Sequence, residues 1–205
     1  MSRQSTTVKA TIRHIIVAFI YVSIIILLIN IFFAERISLA ISLINKISIN
    51  TSQEVYKEVK IDLTNNKLET YPSYGAQYAR MKIDSIDVDL PLYFGDTLTI
   101  LKKGIGHSSG SYFPGEGGSI LCSGHSYRGY IRSLPQAKIG DIIEIDADYG
   151  NFKYRIYETR IIKETDVDAV PIQHEEEIFM LYTCYPVDQI GHPTKRFVVY
   201  AKPVD

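Results

Sequence analysis

The chain has 205 residues, enough for one domain of about 100–200 residues plus an additional segment. Its formal net charge of −1, with acidic and basic residues in near balance, excludes the extended basic surface that nucleic-acid binding needs. Two cysteines are too few for a small secreted domain built on disulfides, so they either form one bridge or leave a thiol for chemistry.

The N-terminal part of the chain contains a charge-free apolar run at residues 15–33. As a helix, this run would rise about 28 Å, which is close to the thickness of the hydrocarbon core of a bilayer. It therefore predicts one transmembrane helix. A cleaved signal peptide is the alternative, because Ser38-Leu39-Ala40 offers small residues to a peptidase. Signal-peptide cores are shorter, about 7–15 residues, which favours an uncleaved signal anchor.

The charges on either side of this run predict its orientation. Residues 1–14 carry three basic and no acidic side chains, whereas Glu35 and Arg36 follow the run. By the positive-inside rule, residues 1–14 form a cytoplasmic N-terminus and the chain after about residue 35 lies outside the cell. The expected location is the cell membrane, with a single span and an extracellular domain.

Residues 34–75 are predicted to form a stalk or linker. Up to about residue 52 the apolar residues recur with a period near that of a helix, so the anchor helix could continue as an amphipathic stalk. From 53 to 75 the segment is polar and contains the breakers Asn65-Asn66, Pro72 and Gly75. The pattern leaves open whether part of it forms a helix packed on the following domain.

Residues 76–205 are predicted to form one all-β domain. From about residue 77 the apolar residues alternate or form short β-branched runs, which is typical of strands. Asp148-Tyr149-Gly150-Asn151 predicts a hairpin turn, and residues 97–107 predict a short helix followed by a glycine-rich loop. About eight short strands with few helical patterns favour a closed or nearly closed β-barrel with short helices.

Three side chains with complementary chemistry lie at the ends of predicted strands: His125, Cys184 and Arg196. A cysteine nucleophile needs a nearby base or cation, because an ordinary thiol forms little thiolate at neutral pH. A histidine can exchange the proton of a leaving amine. A permanently charged guanidinium can stabilise an oxyanion or hold substrate carbonyls. The three together predict a nucleophilic cysteine site.

Strand alternation separates the second cysteine from this group. In residues 119–125, Leu121 and His125 share one face, and Cys122 lies on the other. Cys122 is therefore predicted to be a small core residue, in keeping with the frequent burial of free cysteine. A Cys122–Cys184 disulfide stays open as the alternative, because the predicted extracellular compartment is oxidising.

Five short segments support the prediction of a nucleophilic cysteine site by their order and content: Gly-Ile-Gly-His at 104–107, Pro-Gly-Glu-Gly-Gly at 114–118, Ser-Gly-His at 123–125, Leu-Tyr-Thr-Cys-Tyr-Pro at 181–186 and Lys-Arg-Phe-Val-Val-Tyr-Ala at 195–201. The last two resemble the Thr-Cys strand end and the Arg-x-Val-Val segment of the sortases, a family of cysteine transpeptidases. The third resembles the histidine strand of that family, and the first two resemble its Gly-x-Gly-His and Pro-Gly-x-x-Gly segments. The resemblance covers about residues 77–203.

The resemblance implies an eight-stranded sortase-type β-barrel that cleaves a Leu-Pro-x-Thr-type sorting signal. The Cys184 thiolate would attack the threonine carbonyl, releasing the C-terminal peptide and leaving a thioacyl enzyme. An amine of a peptidoglycan precursor would resolve this intermediate and attach the protein to the wall of a Gram-positive cell. The implied partners are secreted proteins with C-terminal sorting signals, and that amine.

The same resemblance assigns roles to individual residues. His125 matches the general acid/base of the family, and Arg196 its substrate- and oxyanion-stabilising arginine. Thr183 matches a position that helps the oxyanion, and His192, in the loop between Cys184 and Arg196, could contact substrate. The single N-terminal anchor, the short hairpins and the lack of a second apolar stretch make class D the most similar subclass.

The remaining histidines are predicted to lie outside the chemistry. His107 is expected to order a loop or to line the rim of the site, because its family counterpart is not catalytic. The cluster His174-Glu175-Glu176-Glu177 could bind calcium, as some sortases do near this loop. Calcium needs about 6–8 oxygen ligands, and three consecutive glutamates cannot all face one ion. A solvated acidic loop is favoured, with no metal site and no cofactor.

Two other functions compete with this prediction. A papain-like cell-wall peptidase would carry its cysteine on a helix, which fits poorly with Cys184 at a strand end. A membrane-anchored, cell-wall-binding β-domain would instead use a Cys122–Cys184 disulfide as a structural bridge.

Overall fold

The structure, a computed structural model, describes residues 14–27, 29, 61–62, 67–173, 175–187, 189 and 191–204. The chain divides into two units, Met1–Asn50 and Thr51–Asp205. In the first unit, residues 14–27 form a helix with exposed side chains. Within the ranges just given, no helix has the length and apolar character needed to cross a bilayer. The rest of the predicted span, at 28 and 30–33, lies outside the described residues, so the transmembrane helix stays a prediction.

The described residues of the second unit form ten strands: β1 (Ile61–Asp62), β2 (Lys67–Leu68), β3 (Gln77–Ile83), β4 (Val88–Phe94), β5 (Ile105–His107), β6 (Ser119–Gly124), β7 (Ile142–Ala147), β8 (Gly150–Lys163), β9 (Ile178–Tyr185) and β10 (Lys195–Pro203). The last eight close into a barrel in the order β10-β8-β7-β3-β4-β5-β6-β9. The helical elements are short: α1 (Leu98–Leu101) and the 3-10 helices Asp84–Ile86, Leu134–Gln136 and Val167–Ala169. The predicted eight-stranded barrel with short helices is confirmed.

The β7–β8 hairpin shows how local sequence sets the register. Ala147 pairs with Gly150, so Asp148-Tyr149 is a two-residue turn. This confirms the predicted hairpin. β8 is long because its first half pairs with β7 and its second half with β10. β10 therefore lies between β8 and β9, which brings the start of β10 beside the ends of both neighbours.

Alternation along β9 and β10 builds two apolar layers. The inward side chains join the barrel core: Phe179, Leu181, Phe197 and Val199. The outward side chains form a smaller cluster: Met180, Val198 and Tyr200. Val170 packs on this cluster, and the Tyr200 hydroxyl donates to the Ala169 carbonyl at 2.7 Å. The connection between β8 and β9 therefore covers part of the outer face of the barrel.

The glycine-rich segment predicted to be a loop is mostly the strand β5. It pairs in parallel with β4 and antiparallel with β6, where Gly106 lies opposite Ser123. A Cβ atom on Gly106 would lie 2.6 Å from the Gly95 carbonyl oxygen and 2.7 Å from the Leu101 side chain. The loop prediction was wrong because this glycine permits a close approach of the neighbouring segment rather than a turn. The short helix predicted before it is confirmed as α1.

The predicted linker at 34–75 contains strands at its C-terminal end. β1 and β2 form an antiparallel pair, and the Leu68 side chain is buried in the core. The Leu68 amide and the Tyr71 hydroxyl donate to the Glu116 carboxylate at 3.3 and 2.6 Å. Residues 67–71 are therefore fixed to the β5–β6 connection. The helix left open for 53–75 is not present in the part of that segment described here, 61–62 and 67–75.

Candidate active site

Three neighbouring strands bring the predicted chemical groups into one row. Cys184 lies directly opposite Arg196 in the antiparallel β9–β10 pair. The parallel β6–β9 pair ends with Gly124 opposite Thr183, so His125 follows at the level of Cys184. Adjacent strands lie about 4.8 Å apart. The barrel thus places Cys184 between His125 and Arg196, as the strand ends in the sequence led us to expect.

The two cysteines lie on opposite faces of the barrel wall. Cys184 is half-buried on the outer face, whereas Cys122 is fully buried in the core, where burial raises the pKa of its thiol. A buried thiol that resists ionisation is a poor nucleophile. Of the two cysteines, only Cys184 is therefore accessible for covalent chemistry.

The alternative prediction of a Cys122–Cys184 disulfide is wrong. Both cysteines are free. Cys122 pairs with Leu181, three residues before Cys184 on β9, a distance of roughly 10 Å along the strand. A disulfide needs Cα atoms within about 7 Å and side chains that face each other. The structural-bridge version of a wall-binding domain therefore loses its basis.

Aromatic contacts orient the ring of His125. The ring packs edge-to-face on Tyr130, with centroids 5.4 Å apart, and lies against Tyr127 at 6.1 Å. The Tyr130 hydroxyl donates to the Lys102 carbonyl at 2.8 Å, which fixes the supporting ring. The Ile131 amide donates to the His125 carbonyl at 3.2 Å, and this hydrogen bond closes the turn that follows His125. Tyr130 was not predicted, because its role depends on a contact with α1's C-terminal end.

Arg196 is held by an acidic side chain from the neighbouring strand end. Its Nη2 donates to the Glu164 carboxylate at 2.8 Å, and its Nη1 donates to the carbonyls of Pro193 and Lys195 at 2.6 and 2.9 Å. The Arg196 side chain is 17% exposed and that of Glu164 is 26% exposed. Glu164 was also missed, since no local pattern links it to a residue 32 positions later.

His192 and Thr183 make hydrogen bonds to residues at the ends of neighbouring strands. The exposed His192 ring places Nε2 at 2.9 Å from the same Glu164 oxygen that Arg196 contacts. Thr183 is buried on the inward face, and its hydroxyl donates to the Gly124 carbonyl at 2.8 Å. This bond ties the end of β9 to the end of β6 and so aligns Cys184 with His125. The predicted contacts of Thr183 and His192 with substrate stay predictions.

His107 is a core residue on β5, so its predicted place at the site rim is wrong, whereas its contact with Phe113 agrees with the alternative prediction that it orders a loop. It pairs with Cys122 in the β5–β6 ladder and is fully buried. Its Nδ1 shares a hydrogen bond of 2.9 Å with the Tyr78 hydroxyl, and Phe113 packs edge-to-face on its ring at 4.5 Å. Burial lowers the pKa of His107 to about 4, because the charged ring cannot be solvated there.

This buried ring predicts a loss of stability in acid. Between pH 6.5 and about 4 the unfolded chain binds a proton at His107 that the folded chain excludes, so stability falls as pH falls. At 1.36 kcal/mol per pKa unit, we expect a loss of about 3 kcal/mol across this window. His107→Gln should lack this part of the pH dependence. Urea unfolding of both proteins from pH 7 to 4 measures it, and parallel curves would contradict the assignment.

The acidic segment before β9 is exposed at Glu175 and Glu176, as predicted, whereas Glu177 packs against the barrel. The Glu177 carboxylate accepts from the amides of Gly115 and Gly117 at 3.2 and 2.9 Å, and from the Tyr154 hydroxyl at 2.6 Å. A fully solvated loop is therefore the wrong description of Glu177, and His174 lies outside the described residues. In the part of the chain that the structure covers, no three His, Cys, Asp or Glu side chains gather as metal ligands. Calcium binding stays untested.

Comparisons with known proteins agree with this geometry. The family model described as the sortase domain matches residues 81–204. Sortase D of Bacillus subtilis (strain 168) is 36% identical over 143 residues, which are 70% of this chain and 72% of that protein. The chain belongs to the sortase family. The family prediction is therefore confirmed, and the similarity to class D agrees with this relative.

Solved structures place this sortase in the same fold. A Clostridium perfringens sortase D5 transpeptidase matches with a TM-score of 0.58 and 26% identity, over 66% of this chain and 83% of that one. A lid mutant of Corynebacterium diphtheriae sortase A matches with a TM-score of 0.58 and 27% identity, over 63% and 71% of the two chains. The sortase β-barrel excludes the papain-like alternative, which needs a cysteine on a helix, because Cys184 lies on β9.

Proposed function

We propose that this sortase is a cysteine transpeptidase that cleaves a Leu-Pro-x-Thr-type sorting signal and transfers the acyl part to a cell-wall amine. The observation that carries the proposal is the row on β6, β9 and β10, in which Cys184 lies between His125 and Arg196. Membership of the sortase family supports the reaction type. The sorting motif and the amine are inferred from the resemblance of the sequence motifs.

The first half-reaction uses all three residues of the row. The Cys184 sulfur attacks the carbonyl carbon of the scissile threonine, and Arg196 donates hydrogen bonds to the oxygen that becomes negative. The C–N bond then breaks, and His125 delivers a proton to the departing amine. The products are a thioacyl enzyme and the free C-terminal peptide.

The second half-reaction is the reverse with a different amine. A neutral amine attacks the thioester carbonyl, His125 takes the proton that the nitrogen loses, and the Cys184 thiolate leaves. Water in place of the amine would give simple hydrolysis.

We further propose that the apolar run 15–33 anchors the enzyme with this site outside the cell, where secreted proteins and peptidoglycan precursors meet.

The proposal is tested with the full chain in detergent and a panel of Leu-Pro-x-Thr-x peptides. We expect cleavage after threonine and, with triglycine added, a new product whose mass corresponds to the acyl part joined to triglycine. Scrambled peptides serve as the control for sequence recognition. Absence of both products across the panel would reject a Leu-Pro-x-Thr specificity, and hydrolysis that no amine diverts would reject transpeptidation.

A further inference from the structure

The position of the Arg196 guanidinium is not determined by its strand alone. β10 runs between β9 and β8, so Arg196 has Cys184 as its partner on one side and Ile162 on the other. Its long side chain could extend over either neighbour. An arginine side chain carries about 2 kcal/mol of rotamer entropy, so a single orientation needs specific contacts.

Glu164 supplies the charged contact. It follows the last residue of β8, and its amide donates to the Thr194 carbonyl at 2.9 Å, which extends the β8–β10 ladder by one step. Backbone pairing therefore fixes the position of Glu164, which is two residues after Ile162 in the chain. It accepts from Arg196 Nη2 at 2.8 Å in a sheltered position. Such a fixed and partly desolvated pair constrains a side chain more than an exposed ion pair does.

The remaining donors of Arg196 stay available for substrate. A guanidinium has five N–H donors. The described contacts of Arg196 use both hydrogens of Nη1, on Pro193 and Lys195, and one of Nη2, on Glu164. The Nε hydrogen and the second Nη2 hydrogen are left. Two fixed donors on one planar group suit a carbonyl oxygen or an oxyanion.

We propose that Glu164 is the positioning residue of Arg196, holding its guanidinium in the orientation that presents the two remaining donors to the reacting carbonyl. The proposal rests on the proposed function in assigning that carbonyl to the sorting signal. Glu164 does not contact substrate and acts through Arg196. The exposed His192 ring contacts the same Glu164 oxygen and so adds a further contact to the Glu164–Arg196 pair.

The test is a double-mutant cycle on peptide cleavage. Glu164→Gln keeps the shape of the side chain and removes its charge. We expect it to lower kcat by about 10-fold, a fraction of the 10²–10³-fold typical of losing an oxyanion donor, with KM changed less than about twofold. In the Arg196→Ala background the same change should have no further effect. The matched control is Glu158→Gln, which removes the Glu158–Arg160 ion pair from the same strand and should leave kcat unchanged.

Several results would overturn the proposal. An unchanged or higher kcat in Glu164→Gln would show that the carboxylate is dispensable or restrains Arg196. An equal loss in the Arg196→Ala background would show that Glu164 acts through another group. An NMR measurement tests the positioning role without substrate turnover. It therefore distinguishes a failure of this role from a failure of the proposed function. The Nη signals of Arg196, assigned with Arg196→Lys, should broaden in Glu164→Gln, and unchanged signals would contradict the positioning role even if no peptide is cleaved.

Discussion

Replacing Cys184 with alanine is expected to abolish peptide cleavage, lowering kcat/KM by more than roughly 10⁴-fold, because no other group in the row can form the thioacyl bond. Cys184 lies on the accessible outer face between His125 and Arg196. The matched control is Cys122→Ala. Cys122 lies in the core with its ionisation suppressed by burial, so its loss should affect packing and not chemistry.

Thiol titration distinguishes the two cysteines without substrate. In the native wild-type protein one thiol should react quickly with a disulfide reagent, and the second only after unfolding. Cys184→Ala should remove the fast thiol and Cys122→Ala the slow one. We expect Cys122→Ala to destabilise the fold by about 1–2 kcal/mol, since it leaves a small cavity. Cleavage that survives Cys184→Ala, or that disappears in a well-folded Cys122→Ala protein, would contradict the assignment of the nucleophile.

Replacing His125 with alanine is expected to lower kcat/KM by about 10²–10⁴-fold, the usual contribution of a positioned general acid/base. Without this ring the departing amine must take its proton from water. The folded structure should survive, because His125 is only half-buried at the end of β6. Peptide-cleavage kinetics with a thermal melt of each variant measures both effects.

His107→Gln is the matched control for His125→Ala. Glutamine can keep a hydrogen bond to the Tyr78 hydroxyl, so the barrel should fold, and cleavage by the folded protein should be close to wild type at neutral pH. Loss of cleavage in His107→Gln together with its retention in His125→Ala would reverse the assignment of the two histidines. The acid stability of the same variant then tests the burial of His107 independently.

Much of the site could be predicted because it follows from strand periodicity. Alternation in β6 separated Cys122 from His125, and the structure places Cys122 in the core and Leu121 on the outer face. The same rule, applied to β9, puts Thr183 on the face opposite Cys184. In the structure the Thr183 hydroxyl donates to the Gly124 carbonyl inside the barrel wall, as this rule predicts for its side chain. The help to the oxyanion that the motif resemblance implies for Thr183 stays a prediction.

The contacts that could not be predicted depend on register between distant segments. Glu164 meets Arg196 only because β8 and β10 pair in one particular register, which the two sequences do not reveal by themselves. His107 is buried because Gly106 lets β5 enter the barrel wall, although glycines beside a histidine are more typical of a loop. Long-range packing, rather than local propensity, decided both positions.

A thioacyl intermediate on Cys184 can be detected as a change in the intact mass of the full chain. The protein is mixed rapidly with a Leu-Pro-x-Thr-x peptide that it cleaves, and the reaction is quenched in acid. We expect a mass increase equal to the acyl part ending at threonine, and this increase should be lost on treatment with hydroxylamine. Peptide mapping should locate it on Cys184. Efficient cleavage without any adduct, or an adduct on Cys122 in place of Cys184, would contradict the role of Cys184 as the nucleophile.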